Sequence, residues 1–315
     1  MSRPGANPHK TVKTALLANA GIACAKLVAA ALSGSVAMMA EGVHSVADTA
    51  NQALLLVGMR RAARPPTALH PFGMHRESYF WAFIVSLLLF FVGGVFAIRE
   101  GIHKLAHQET HAGSPLAPLI VLGISAALEL TSFTVAMREF NKGRGVRRVG
   151  EALFSGKDPV IPLVLLEDTG AVIGLVIALV AIGASAVTGR AAPDAIGSIL
   201  IGALLCGIGI LLAKDTHSLL IGEAIDPETR AEVVRIAEQT AGVTSVGQVL
   251  SLHLGPEAVL LALKVRFDPA LAVPEVERVI NDLEARVRAH LPIMRRIFVE
   301  PDSAYDPAKD PDYPV

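Results

Sequence analysis

The chain has 315 residues, 52% hydrophobic and 18% charged, with a mean hydropathy of +0.51. That charged fraction is below the roughly 25% of soluble domains, and a formal net charge of −1 leaves no basic excess for binding nucleic acid. Cys24 and Cys206 both lie in apolar runs without metal-ligand spacing, so no disulfide framework is implied.

Up to about residue 220 long apolar runs alternate with short polar connections. Six of them approach the ~20 residues needed to cross a bilayer core: about Thr14–Leu32, Ser35–Met59, Tyr79–Ile98, Ser114–Met137, Pro159–Val187 and Ala195–Ala213. Residues 1–13 read as an N-terminal tail and 14–221 as an all-α bundle of six transmembrane helices. No cleavable signal peptide is expected, because the first run carries Asn19 and Lys26 and is followed at once by a second.

The second run holds a polar stripe. On a helix, residues three and four apart share a face, which aligns Glu41, His44, Asp48 and Asn51. Ionisable groups at that depth cost several kcal/mol and mark pathways or ion sites by default. His44 and Asp48, at i,i+4, offer an imidazole nitrogen and a carboxylate that suit a divalent metal. The competing reading is a satisfied polar pair between helices. Lys26 and Glu41 fall near one level from the Ser33-Gly34 turn and read as a structural ion pair; Asn19 falls opposite Asn51, as for an interhelical hydrogen bond.

The third and sixth runs are uncharged, whereas the fourth carries Glu129 and the fifth Glu167 and Asp168; the bland reading of Glu129 is an acid bonded to a hydroxyl of its own helix such as Thr131 or Ser132. At 1.5 Å per residue, Asp48 lies about 17 Å from its helix end, and Glu129 and Asp168 about 14 Å from theirs. Acids from three helices therefore reach one level, which clustering around a cation explains. Lys and Arg crowd the N-tail and the connections after the second and fourth runs; the opposite side has Arg99, Lys104 and Arg190. By the positive-inside rule both termini are cytosolic.

Beyond residue 222 the pattern is that of a soluble domain. Asp226-Pro227 starts a helix to about Thr240. Gln248–Leu254 and Val259–Phe267 read as strands around a Gly255-Pro256-Glu257 turn. Pro274 opens a second helix to about His290, and Arg295–Glu300 closes as a strand. The order α-β-β-α-β over 222–301 predicts a cytosolic, ferredoxin-like α+β domain. Residues 302–315, rich in proline and aspartate, read as a disordered tail.

Taken together, Asn19, Lys26, Gly34-Ser35, His44-x3-Asp48, His70-Pro71-Phe72-Gly73, Asp168 and the Leu219–Glu223 junction resemble the cation diffusion facilitator family of proton-coupled divalent-metal exporters. Within it, Asp48–Leu56, Arg76–Trp81 and Leu165–Asp168 resemble the zinc transporter nine branch. The resemblance implies a membrane homodimer joined through its cytosolic domains. It also implies metal ligands His44, Asp48 and Asp168; a bacterial inner-membrane location is expected. The family's fourth ligand position is Val164, which cannot bind metal, leaving Glu129, Glu167, Asn51 or water to complete the set. A loop metal site at His70 and His75 is weakened, since the aspartate expected three residues before His70 is Thr67. Leu263 and Phe298 stand where zinc ligands are common, so the C-terminal domain is expected to dimerise without holding metal tightly.

The implied activity is exchange of Zn²⁺ for protons by alternating access, with Mn²⁺, Fe²⁺ or Co²⁺ as alternative substrates. No enzyme activity and no resident cofactor are expected. An intramembrane metalloprotease would need a metal-bound water beside a general base, as in His-Glu-x-x-His, and no such pair is present. A metal sensor without flux leaves acids on three helices at one depth unexplained.

Overall fold

A computed structural model of the chain describes residues 8–33, 36–107, 116–144, 148–302 and 306. It divides into two compact units, Met1–Leu220 and Ile221–Val315. In the first, α1 (Pro8–Ser33) and α2 (Val36–Ala62) are followed by α3 (Glu77–Leu88). The latter passes through a π-helical stretch, Leu89–Val95, into α4 (Phe96–His107). Then come α5 (Leu116–Arg144), the short α6 (Val149–Ser155), α7 (Val160–Thr188) and α8 (Ala192–Ile221). Helix α1 begins at Pro8, six residues before the expected span.

Among the described residues, four helical runs are long and apolar enough to cross a membrane by length and composition: Pro8–Val28, Glu77–Ala106, Val160–Ser185 and Ala192–Ile221. Helices α2 and α5 are as long but carry the polar load. Asp48, Arg60 and Arg61 lie on α2, and Glu129, Arg138, Glu139 and Lys142 on α5. The core of this unit joins Val12 and Ala15 of α1, Leu55 of α2, Val85 of α3, Ala136 of α5, Leu163 and Val164 of α7, and Leu212 of α8.

Helix α8 meets the α3–α4 span through small residues. A Cβ on Gly202 would lie 2.7 Å from the Gly94 carbonyl oxygen, and one on Gly101 2.7 Å from that of Ala195. Gly94 and Gly101 are seven apart, as are Ala195, Gly202 and Gly209, so one seam of each helix lets the backbones touch. Gly94 lies in the π stretch, whose extra residue per turn shifts the seam locally.

In the second unit α9 (Pro227–Glu238) starts as its sequence dictates. Pro227 takes the first turn, and the Asp226 carboxylate accepts the Thr229 N–H at 2.9 Å and its hydroxyl at 2.8 Å. Strands β1 (Val243–Gly255) and β2 (Ala258–Phe267) form an antiparallel hairpin paired from Val243↔Phe267 to Gly255↔Ala258, with register shifts between Val243 and Ser245, Val246 and Gln248, and His253 and Gly255. Strand β1 starts five residues before the expected Gln248, because Val243 to Val246 find ladder partners at the end of β2. Helix α10 (Val273–His290) returns the chain so that β3 (Met294–Pro301) pairs parallel to β2, giving the order β1-β2-β3. Val233 and Ile236 of α9, Leu261 and Leu263 of β2, and Leu283 and Val287 of α10 fill the core. Each fully buried leucine there contributes about 1.5–3 kcal/mol.

Candidate metal centre

Helix α7 carries two adjacent acids whose surroundings differ. It starts where the Asp158 side chain accepts the Val160 N–H at 3.0 Å, and it ends at Gly189, in the left-handed region at φ 65°. Glu167 and Asp168 lie inside it, both buried. Adjacent helical residues point about 100° apart, and the two carboxylates find different neighbours. Asp168 Oδ2 accepts the Ser132 hydroxyl of α5 at 2.7 Å. Glu167 Oε1 accepts the Asn51 amide at 3.3 Å and Oε2 the Gln52 amide at 2.5 Å, both from α2.

Asp48 and Glu129 are half-buried. Glu129 and Glu167 each lie near enough to Asp48, to Asp168 and to one another for their charges to interact, and Lys26 acts on Glu129. Carboxyl groups gathered in this way, within long apolar helices, suit a cation. Among the described residues no three His, Cys, Asp or Glu side chains converge on a single point. The side chains of His44 and Glu41 are outside the described residues, and so therefore are the expected histidine ligand and the expected Lys26–Glu41 pair. Val164 is fully buried in the core.

Two sequence expectations change. Asn51 gives its amide to Glu167 rather than to Asn19, because it turns toward α7. Ser132, weighed as a partner for Glu129, bonds Asp168, and Thr131 turns back to the Ala127 carbonyl at 2.8 Å. One polar neighbour of these acids escaped the sequence reading: Gln52 was findable as the next i+4 step after His44 and Asp48. Glu139 of α5, 2% exposed, is a further buried acid. It has cationic partners in Lys142 at 2.7 Å and Lys10 at 3.8 Å, which accounts for it structurally.

In the loop after α2, Thr67 and His70 close a turn: Thr67 N–H donates to the His70 carbonyl, and His70 N–H to Thr67 Oγ1, each at 3.1 Å. Thr67 thus has a turn-forming role where an aspartate was expected. His70 is exposed and His75 half-buried. The His75 ring lies against Gly73, at φ 84°, where a Cβ would come within 3.0 Å of its Nε2. In the second unit Leu263 belongs to the core, Phe298 is exposed, and Glu300 pairs with Lys264 at 3.7 Å. His253 is buried, and its backbone N–H donates to the Glu223 carbonyl at 2.9 Å.

Residues 12–221 match the family model described as the cation efflux transmembrane domain. The chain is 33% identical over 267 residues to metal tolerance protein C4 of Arabidopsis thaliana, covering 84% of this chain and 58% of the relative. It is 31% identical over 263 residues to the mitochondrial proton-coupled zinc antiporter SLC30A9 of Xenopus laevis, covering 83% and 47%. It spans about half the length of these curated relatives. A solved structure titled MamM-CTD 215-293 aligns with 24% of this chain and 96% of its own, at 17% identity and a TM-score of 0.23. The match across the transmembrane region and the identity over most of the chain place this protein in the cation efflux family.

Proposed function

We propose that this protein is a transporter, not an enzyme, exchanging a divalent metal cation for protons across a membrane, with Zn²⁺ the preferred substrate. The observation that carries the reading is the set of acids shared by three helices. Glu167 and Asp168 of α7 are buried near Asp48 of α2 and Glu129 of α5, where several carboxyl groups gathered together are costly and a cation compensates them. His44, Asp48 and Asp168 are the proposed ligands. Glu129 enters from α5 as the fourth ligand or proton carrier, since Glu167 and Asn51 are occupied with each other.

Metal and protons compete for the same lone pairs, so a site that exchanges one for the other drives metal against a proton gradient. Imidazole with carboxylates favours Zn²⁺, while harder Mn²⁺ prefers all-oxygen sites. The zinc antiporter named among the relatives supports this choice. The same reading takes six membrane-spanning helices, α2 and α5 lining the polar interior, with both termini cytosolic in a bacterial inner membrane. Residues 222–301 then form a cytosolic ferredoxin-like dimerisation domain. Leu250 and Phe298, exposed on either side of half-buried Ala262 across its sheet, support an apolar contact between two copies.

The test is metal uptake into proteoliposomes with an imposed pH gradient, compared for Zn²⁺, Mn²⁺, Fe²⁺, Co²⁺ and Cd²⁺. Gradient-dependent Zn²⁺ flux is expected. Metal binding without flux would make the protein a sensor, and faster Mn²⁺ than Zn²⁺ would overturn the zinc assignment.

A further inference from the structure

Gln52 has no exposed surface, and it is an amide in a unit whose core cluster is apolar. Its Oε1 is buried and has no hydrogen-bond partner among the described residues. Its Nε2 donates to Glu167 Oε2 at 2.5 Å, while the neighbouring Asn51 donates to Oε1. A residue that merely filled this space would be leucine or methionine, which leave no polar atom unsatisfied. The amide is therefore useful here for its donor end, and that end is given to Glu167.

We propose that Gln52 is a positioning residue of the metal site: with Asn51 it holds both oxygens of Glu167, making Glu167 the clasp between α7 and α2 rather than a metal ligand. This rests on the transport reading above. Gln52 lies one helical turn from Asp48, and Glu167 precedes Asp168 directly, so the clasp sets the height of α7 against α2 next to both proposed ligand acids. Asp168 keeps a separate anchor in Ser132 of α5. Two donors from consecutive residues of one helix also fix the plane of the Glu167 carboxylate. Turning it to a metal would break at least one of those bonds. The clasp acts on how well the ligands converge, hence on affinity, as outer partners of metal ligands do.

The experiment compares wild type, Gln52→Leu, Gln52→Asn, Gln52→Glu, Glu167→Gln and the exchange Gln52→Glu/Glu167→Gln in the full chain. Zn²⁺ flux in proteoliposomes is read as KM and maximal rate, and Zn²⁺ binding in detergent by calorimetry. Gln52→Leu and Gln52→Asn should raise KM and Kd by about 10–100-fold, the range for such outer partners, with maximal rate nearly kept. In the exchange, residue 167 as an amide accepts from Asn51 and donates to the new carboxylate, so most of the lost affinity should return. An exchange no better than the sum of its single changes, with melting unaltered, would overturn the clasp and make Glu167 a ligand. Unchanged KM and Kd in both Gln52→Leu and Gln52→Asn would reduce Gln52 to packing. Wild type without flux in any metal would defeat the transport reading, while calorimetry would still report the clasp.

Discussion

In residues 8–220, Phe91, Phe96, Val180 and Ile210 face outward, while Asn51, Gln52, Glu139, Glu167 and Asp168 are buried. In residues 221–302 the arrangement is inverted: Leu261, Leu263, Leu283 and Met294 are enclosed. Arg235–Glu232, Arg286–Asp282 and Arg288–Glu284 pair on the surface there. Each unit puts outward what its surroundings solvate. The first turns hydrocarbon to lipid, so its interior can collect polar groups at the cost of finding them partners. The second hides hydrocarbon from water and derives its stability from that burial.

The largest effect should come from the buried acids of the first unit. Asp48→Asn and Asp168→Asn each remove a proposed ligand and should abolish metal–proton exchange while the protein still folds. Wild-type flux in either variant would break the assignment. The next test truncates an apolar side chain in each unit. Leu283→Ala empties part of a dry core and should cost about 2–5 kcal/mol, seen as lost hydrogen-exchange protection over 221–302. Phe91→Ala, at a position 57% exposed, should leave protection in the first unit nearly intact in lipid. Equal losses would mean that Phe91 is covered by protein.

His44→Asp would make the proposed ligand set all-oxygen and should shift preference toward Mn²⁺ or Fe²⁺, read as the ratio of uptake rates. A ratio unmoved from wild type would place His44 outside the site.

In the second unit the cap of α9 sets a pH dependence. Burial pushes the Asp226 carboxyl up, but the bonds from the Thr229 N–H and hydroxyl outweigh it and hold the group below its usual value. A folded pKa held down means that the stabilisation is fully present above the unfolded value of about 3.9 and is lost as pH falls through the folded one. Asp226→Ala should cost about 0.5–2 kcal/mol near neutrality. The gap from wild type should close only in strong acid, as followed by hydrogen exchange in α9. The smallest effect is expected at Glu232, whose pair with Arg235 is exposed to water. Glu232→Gln should leave the melting midpoint where it is.

How far sequence reaches also differs between the units. The start of α9 was legible because cap, proline and first turn are local chemistry. The α-β-β-α-β order followed from alternation and turn residues, while β1 ran longer than its pattern because extra ladder bonds with β2 were available. In the first unit, that Asp48, Glu129, Glu167 and Asp168 occupy long apolar helices was readable from spacing alone. Their partners were not, because a helix can turn about its axis and slide along it without altering its own hydrogen bonds. Tertiary packing decided that Asn51 faces α7 rather than α1, that Ser132 serves Asp168 rather than Glu129, and that Gln52 is enclosed. The sequence determined which helices carry charge and roughly how deep. Contact between helices decided which charges meet, since a partner one turn away on a neighbouring helix leaves no trace in the periodicity of either.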